Sequence, residues 1–486
     1  MISGLEINIE EVRRRKTKLY GANSLVVRGT SVKVCLRVAR MALQHLHVGF
    51  DDTDSPRRGC TTYIAALLVE KLEKLGAIFT DYPNLVRLNP NVPWKTRGNG
   101  ALCLRIKCDG KMVDKIKELV LTVVEENSDL TFRGTDPGVV FFARARVPKE
   151  IQAFAKDAIT GIVNLKTALK LIRRFGAEAV GFKGGRGIIG GLAAIGETLR
   201  GDHTYEIIAY RKPENYGKER RIDRNSILEM DKATAPYTFN NVDYETGRVL
   251  ITPRGPDPVL FGIRGESPEI VKKAFEMVKA FEPVERWVIF RTNQGTDAHL
   301  KRVERLSQLK PFHPVIARGI VTVNPRIVPR RHVIFTISDQ SASVDCAAYA
   351  PTDMLRKIAS RLIIGDYVEV YGGVRPPSAS RPLTVNLEKL RVLKLASKVV
   401  YQNPVCQQCG KRLKSMGKNK GFKCEKCGSR YPNLSKVAVK VKRDLDEGLY
   451  IVPPRSQRHL TKPIVRYGME KRRTTEVRLI EGWHHP

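Results

Sequence analysis

The chain has 486 residues, 42% of them hydrophobic, enough to fill cores in roughly three or four domains of about 100 to 200 residues each. Lys and Arg total 85 against 50 Asp and Glu, a formal charge of +35 distributed along the whole length. These values exclude a disordered chain and point to a polyanionic partner, RNA or DNA ahead of a membrane surface; a thermophile's surface ion pairs would add acids along with bases.

Four of the nine cysteines form two CxxC pairs, whereas Cys35, Cys60, Cys103, Cys108 and Cys346 stand singly. That is metal usage in a reducing, intracellular compartment rather than a disulfide framework. No run approaches the roughly 18 consecutive apolar residues of a membrane span, so a soluble, cytoplasmic protein is expected. Residues 1–45 are basic through Arg13, Arg14, Arg15 and Lys16 and lack the apolar core and cleavage site of a signal peptide. They read as a poorly packed N-terminal extension, or as a start-site artefact with Met41 just upstream of the first strand.

In chain order, a short apolar strand at 47–50 runs through the loop DDTDSPRRGC into a helix that begins near Thr61 or Thr62. Ile64, Leu67, Leu68, Leu72 and Leu75 follow helical spacing, and Gly76 supplies the stop. Strands are predicted at 102–106 and 139–144 and a helix at 111–126, so the fold class is α+β and multidomain. Glycines cluster in GFKGGRGIIGG, 181–191, before an Ala-rich helical start and the segment DHTYEIIAYR. A second α/β unit is expected over about 235–305, with strands at 249–252, 259–263 and 287–291 and a helix at 267–281, an order compatible with a ferredoxin-like half. From residue 313 five short strands with one helical interlude at 352–360 have the pattern of an OB barrel, a common single-strand binder. A sandwich or an SH3-like barrel is the competing topology.

Cys406, Cys409, Cys424 and Cys427 form CxxC, a 14-residue gap and CxxC, spacing that lets two turns offer four thiolates to one Zn²⁺. The intervening GKRLKSMGKNKGFK is strongly basic and holds one aromatic, Phe422, which suits contact with nucleic acid; a purely structural ribbon is the alternative.

Asp51, Asp52 and Asp54 lie between a strand end and a helix start, where clustered carboxylates repel one another unless a cation neutralises them. Mg²⁺ holding ATP phosphates would do so, with the helix N-terminus at Thr61 and Thr62 and the charges of Arg57 and Arg58 on the same phosphates. Thr53 and Ser55 complete this nucleotide-binding set. The competing reading is a turn whose Asp and Ser satisfy their own backbone, helped by Pro56 and Gly59. Gly184, Gly185, Arg186 and Gly187 would let a backbone approach a phosphate closely, although the run lacks a Walker ending. Lys107 to Gly110 spell KCDG, which resembles the adenylated-lysine motif of nucleic-acid ligases; a strand leaving into an Asp-Gly turn explains it better, because the KxK at Lys440 to Lys442 follows the zinc site instead of preceding it.

The stretches HVGFDDTDSPRRGCTTYIAALL, GGRGIIGGLAAIG, DHTYEIIAYR, FRTNQGTDAHL and PPRSQRHLTKP, with the ribbon and in this order, closely resemble the archaeal tRNA 2-agmatinylcytidine synthetase family. The resemblance implies joining of agmatine to C2 of the wobble cytidine of a CAU-anticodon isoleucine tRNA, with ATP converted to AMP. It implies that phosphorylation turns the C2 oxygen into a leaving group, that Asp51 and Asp52 ligate magnesium and nucleotide, with Asp54 beside them, and that Thr61 is the autophosphorylated threonine. A carboxylate should clamp the guanidinium of agmatine, and Asp202 and Glu206 are the candidates. The implied series is a kinase-like catalytic domain 46–234, a ferredoxin-like domain 235–310, an OB-fold 311–396 and a zinc ribbon 397–432, here followed by a basic C-terminal tail 433–486; the extension 1–45 departs from the family, whose strand and aspartate loop usually open the protein. The rival from another class is a non-catalytic binder of single-stranded nucleic acid built on the OB-fold and ribbon.

Overall fold

A computed structural model describes residues 43–486 apart from 257, 380, 474 and 475. The expectation for the N-terminal extension therefore lies, for residues 1–42, outside the described residues. Two compact units emerge: one runs through His299 and takes back Gln457–Pro486, and the other is Leu300–Ser456.

The first unit is built on one sheet. Its main strands are β1 (Leu43–Asp51), β2 (Asn84–Arg87), β3 (Gly100–Asp109), β4 (Gly138–Phe142), β5 (Glu178–Gly181), β6 (Thr204–Arg211), β7 (Val259–Gly265) and β8 (Val284–Thr292). They lie in the order β5-β4-β1-β3-β2-β8-β6-β7, and the short strand Thr238–Phe239 follows β7. Every neighbour on this path is antiparallel except β2 with β8. The helices are α1 (Thr61–Lys74), α2 (Val113–Asn127), α3 (Lys149–Thr160), α4 (Leu165–Phe175), α5 (Gly187–Gly196), α6 (Arg224–Thr234) and α7 (Pro268–Met277).

β1 is covered on both faces, and its buried residues alternate between them, Leu46, Val48 and Phe50 on one face and His47 and Gly49 on the other. Leu46, Val48 and Phe50 join one core with Ile64, Leu68 and Leu72 of α1 and Val120 and Val124 of α2. The other face meets α5, whose Leu192 and Ile195 share a second core with Ile151 and Phe154 of α3 and Ile172 of α4. Gly49 and Gly191 make that approach possible: a Cβ on Gly49 would stand 2.0 Å from the Gly191 carbonyl oxygen.

Several boundaries differ from the sequence expectation. The helix expected at 111–126 begins at Val113 after a single 3₁₀ turn, and the strand expected at 249–252 shortens to Arg248–Val249. The glycine run is itself helical from Gly187, because the backbone proximity its glycines allow outweighs their poor helix propensity. The KCDG stretch ends β3 at Asp109 and turns at Gly110, with Asp109 Oδ1 accepting the Lys111 N–H.

The second unit contains β9 (Pro314–Val328), β10 (His332–Ser338), β11 (Ser343–Ala348), the short helix α8 (Met354–Ala359), β12 (Tyr367–Arg375) and β13 (Thr384–Lys394). They pair as β9-β10-β11-β13-β12, and β12 pairs back onto β9, closing a five-stranded barrel with α8 between its third and fourth strands. Val321, Phe335, Ile337, Val370 and Leu390 fill its interior with Leu355 of α8. The segment read as a basic tail divides between the units: Val437–Val441 pairs with Lys398–Gln402 and Gly448–Ile451 pairs with β13, whereas His484–His485 pairs with β8.

Candidate functional site

β1 delivers Asp51 at its end, and the chain then turns through Asp52 in the left-handed region (φ 62°). A cavity of about 440 Å³ opens at this point. Asp51, Asp52, Asp54, Cys60, Thr61, Thr62, Arg186 and Gly190 belong to one part of its wall. Burial first, and the charge of Asp52 second, push the Asp51 carboxyl up to about 8. Burial raises Asp52 to about 6, only partly offset by Arg186, whose Nε and Nη2 donate to Asp52 Oδ2 at 2.9 and 2.6 Å. Asp54 is held differently: Oδ1 accepts from Thr96 Oγ1 at 2.9 Å and Oδ2 from Arg97 Nε at 2.6 Å, so the loop 94–100 is tied to the aspartate loop.

Thr61 is the first residue of α1, and its hydroxyl accepts from the buried Thr53 Oγ1 at 3.0 Å. The helix cap is Cys60, without a side-chain capping bond, and its Sγ lies 3.1 Å from Thr62 Oγ1. Neither threonine is therefore a cap, and Thr61 shares the cavity wall with Asp51, Asp52 and Asp54.

Arg87, Glu206, Arg264 and His459 also line the cavity. Glu206 is buried; Oε1 accepts from Arg264 Nε at 3.0 Å and Oε2 from Gln294 Nε2. Arg264 Nη2 meets His459 Nδ1 at 3.1 Å. A guanidinium only donates, so Nδ1 accepts and the neutral ring carries its proton on Nε2. Arg87 first, then burial and Arg264, hold His459 well below its ordinary pKa and keep it neutral. His459 reaches the wall because residues 457–463 return to the first unit, where Gly295 N–H donates to the His459 carbonyl at 2.8 Å and Asp297 N–H to that of Leu460 at 2.8 Å.

In the second unit the thiols of Cys406, Cys409, Cys424 and Cys427 all lie within 4.8 Å of one another. Each pair forms the same turn: Gly410 N–H donates to the Cys406 carbonyl, Gly428 N–H to that of Cys424, and both glycines have positive φ (70° and 78°). Four convergent thiols on two turns fit a tetrahedral zinc ion.

Three family models match the chain: the TiaS TCKD domain over 47–184, the TiaS FLD domain over 185–299 and the TiaS C-terminal zinc ribbon domain over 403–445. The tRNA(Ile2) 2-agmatinylcytidine synthetase TiaS of Methanocaldococcus jannaschii is 44% identical over 424 residues, covering 86% of this chain and 98% of that one. The chain belongs to the TiaS family. Its relative from Archaeoglobus fulgidus is 42% identical over 428 residues, covering 87% and 98%. Among solved structures, the TiaS family's TiaS-tRNA(Ile2)-ATP complex superposes with a TM-score of 0.79 at 41% identity, and the TiaS-tRNA(Ile2)-AMPCPP-agmatine complex with 0.77 at 39%, each covering 87% of this chain and 97% of the other.

Against this geometry, the candidates read from the sequence separate. Asp51, Asp52, Asp54, Thr61, Thr62, Arg186 and Glu206 come together at the cavity. Thr53 and Ser55 are fully buried behind it, Ser55 Oγ donating to Asp129 Oδ2 at 2.6 Å. Arg57 and Arg58 point outward and pair with the same Asp129 at 3.4 and 3.3 Å. Gly184 is held by Asp136, its N–H 3.0 Å from Oδ1, Gly185 packs on Gly181, and Gly187 packs on Asp51 and Gly138. These glycines serve backbone packing and do not line the cavity. Asp202 is not among the lining residues: Arg466 donates to its carboxylate at 2.9 and 3.2 Å, and Glu266 and Lys471 join the same cluster. Arg87, Arg264 and His459 carry no local motif; only the resemblance in PPRSQRHLTKP marked one of them.

Proposed function

We propose that this chain joins agmatine to C2 of the wobble cytidine of the CAU-anticodon isoleucine tRNA, using ATP. What carries the reading is the cavity itself. It sets two mutually repelling, buried carboxylates, Asp51 and Asp52, beside a helix N-terminal hydroxyl, Thr61, and adds a buried carboxylate, Glu206, among cations. Family membership and the likeness to structures that hold tRNA, ATP and agmatine support it. A binder of single-stranded nucleic acid has no use for such a cavity, so the non-catalytic alternative is not favoured; nor is the ligase, whose KCDG lies at the end of β3 remote from Gly100, the end that lines the cavity.

In this reading residues 46–234 form the kinase-like catalytic domain, 235–310 the ferredoxin-like domain, 311–396 an OB-fold and 397–432 the ribbon. The closed five-strand barrel with a helix between its third and fourth strands supports the OB assignment. Asp51 and Asp52 fit a divalent cation, since burial and repulsion disfavour their ionised forms until positive charge arrives. Magnesium there would neutralise ATP phosphates. Arg186 holds Asp52 in place, the Thr61 hydroxyl accepts phosphate, and Glu206, whose oxygens each keep a further lone pair, takes the agmatine guanidinium. Among the described residues no helix is long and apolar enough to cross a membrane.

Mass spectrometry of the isoleucine tRNA anticodon after incubation with ATP and agmatine tests this. The mass of cytidine plus agmatine minus water is expected, and it should vanish, together with AMP formation, in Asp52→Ala. An unmodified anticodon with the wild-type chain would refute the reading.

A further inference from the structure

Five Arg and Lys side chains line the cavity, and four of them are matched. Arg186 pairs with Asp52, Arg97 with Asp54 and Arg264 with Glu206, and Lys95 Nζ donates to the Arg97 carbonyl at 2.9 Å. Arg87 is the exception. Its Nε is buried with no hydrogen-bond partner, and among the described residues no carboxylate forms an ion pair with its guanidinium. Its backbone is fixed, because Asn293 accepts the Arg87 N–H at 2.8 Å and donates to the Arg87 carbonyl at 2.9 Å. The side chain is also given room: a Cβ on Gly98 or Gly100 would stand 2.6 or 2.8 Å from Nη1.

The same Gly98 lies against His459, its Cβ position 3.2 Å from Nε2. Nη1 of Arg87 and the protonated Nε2 of the neutral imidazole thus lie side by side against Gly98 in the cavity wall, with the Arg264 bond fixing which nitrogen bears the proton. A buried cation without a counterion is retained only where something else repays its desolvation, and a cation beside a second donor in a cavity wall suits an anionic oxygen. Burial, only partly offset by Glu206, lowers Arg87 to about 10, as expected of a cation awaiting a partner.

We propose that Arg87 and the Nε2–H of His459 form a phosphate-binding subsite that receives a phosphoryl group of the substrates. This rests on the reading of the cavity as ATP-using. The group is either a phosphate of the nucleotide or the phosphoryl carried by the base oxygen, the same chemistry from two sources. His459 comes from residues outside all three family-model matches, so the segment after the ribbon would complete the site.

The test uses the full-length, zinc-loaded protein with Arg87→Gln, Arg87→Lys and His459→Gln. Inorganic phosphate titrated calorimetrically should bind the wild type and lose at least about tenfold in affinity in Arg87→Gln and His459→Gln, with Arg87→Lys in between. Without ligand, Arg87→Gln should melt at the wild-type temperature or above it, since an unpaired buried charge is removed. A tenfold loss of Mg-ATP affinity without tRNA would identify the nucleotide phosphate. An unchanged ATP affinity with a fall of about 100-fold in kcat at constant KM would identify the phosphoryl on the base. The proposal is overturned if phosphate affinity, ATP affinity and kcat all stay within threefold, or if Arg87→Gln melts well below the wild type and Arg87→Lys restores both melting and activity. Phosphate titration needs no reaction, so its outcome is separate from whether the wild type modifies tRNA.

Discussion

The carboxylate of Asp51 lies directly over Gly190: a Cβ placed on that glycine would stand 1.9 Å from Asp51 Oδ2. The fourth residue of the glycine-rich helix is thus an imprint of the acid at the end of β1, and Gly190→Ala forces one of them to move. Overpacking of this kind typically costs about 1–3 kcal/mol, and misplacing a reacting group by an ångström costs about 100-fold in rate. Gly190→Ala is expected to cut AMP formation by about that factor while the chain still folds. Gly201→Ala, with nothing within 4 Å of its Cβ position, is the control and should leave both unchanged. A Gly190→Ala enzyme with wild-type turnover would show that Asp51 is not held for chemistry.

A second expectation concerns the paired hydroxyls Thr53 and Thr61. Removing the Thr61 acceptor strands the buried Thr53 donor, which costs about 1–3 kcal/mol, so Thr61→Ala should lose both stability and activity. Thr61→Ser keeps acceptor and nucleophile and should retain agmatine transfer within about tenfold. Thr62→Ala removes no cap, because α1 has no side-chain cap, and it should be near neutral in melting temperature. Full activity in Thr61→Ala would eliminate the hydroxyl from the mechanism.

Much of this was legible because it is local. β1, the aspartate loop and α1 follow one another within a few tens of residues, and the alternation and turn signals of the barrel strands are short-range. The helices α3 and α4 lie outside the elements that the sequence motifs mark, although Asn164 caps α4, its Oδ1 accepting the Thr167 N–H at 2.8 Å, and Gly176 ends it with φ 66°. Spacing places Asp202 near the glycine run without revealing Arg466, 264 residues away, which donates to it. The wall with Arg87, Arg264 and His459 draws on β2, β7 and a returning C-terminal segment, so no window of sequence contains it.

His47 supplies a pH dependence of stability. Its Nε2 meets the Arg144 carbonyl at 2.9 Å and its Nδ1 meets Arg105 Nη1 at 3.2 Å, so the ring donates from one nitrogen and accepts at the other and has no place for a second proton. Burial, then the Arg105 charge, lowers its pKa to about 3. Above about pH 6.5 both folded and unfolded chains hold the ring neutral and its contribution is complete. Below that the unfolded chain takes up a proton the folded one refuses, and stability falls until pH drops through about 3. His203, also lowered to about 3 chiefly by burial, behaves alike. All three tryptophans, Trp94, Trp287 and Trp483, lie in the first unit, so denaturant unfolding followed by their fluorescence reports on it. His47→Gln should flatten the loss between pH 6.5 and 5 by close to one proton; an unchanged slope would mean that His47 protonates in the native state.

The last prediction concerns the ribbon, where the apolar core is too small to account for its folding. Besides Cys406 and Cys424 the buried cluster contains only Leu413 and Phe422, with Cys409, Tyr431 and Leu434 partly buried around it. A core of this size does not offset the entropy of ordering about thirty residues, and a structural zinc ion contributes its binding energy as folding energy. Four thiolates without a cation would also repel one another. We therefore expect one zinc per chain by elemental analysis, and its loss in Cys424→Ser. A strong chelator should open residues 403–431 to trypsin at Lys411, Lys418, Lys420 and Lys423 while the tryptophan-monitored melting of the first unit stays unchanged. Because this segment is densely basic, tRNA affinity should fall with zinc removal and its salt dependence should become shallower, whereas Mg-ATP affinity without tRNA should hold. Tryptic resistance that survives chelation, or a zinc-free wild-type protein that binds tRNA normally, would show that the four cysteines fold the ribbon without metal.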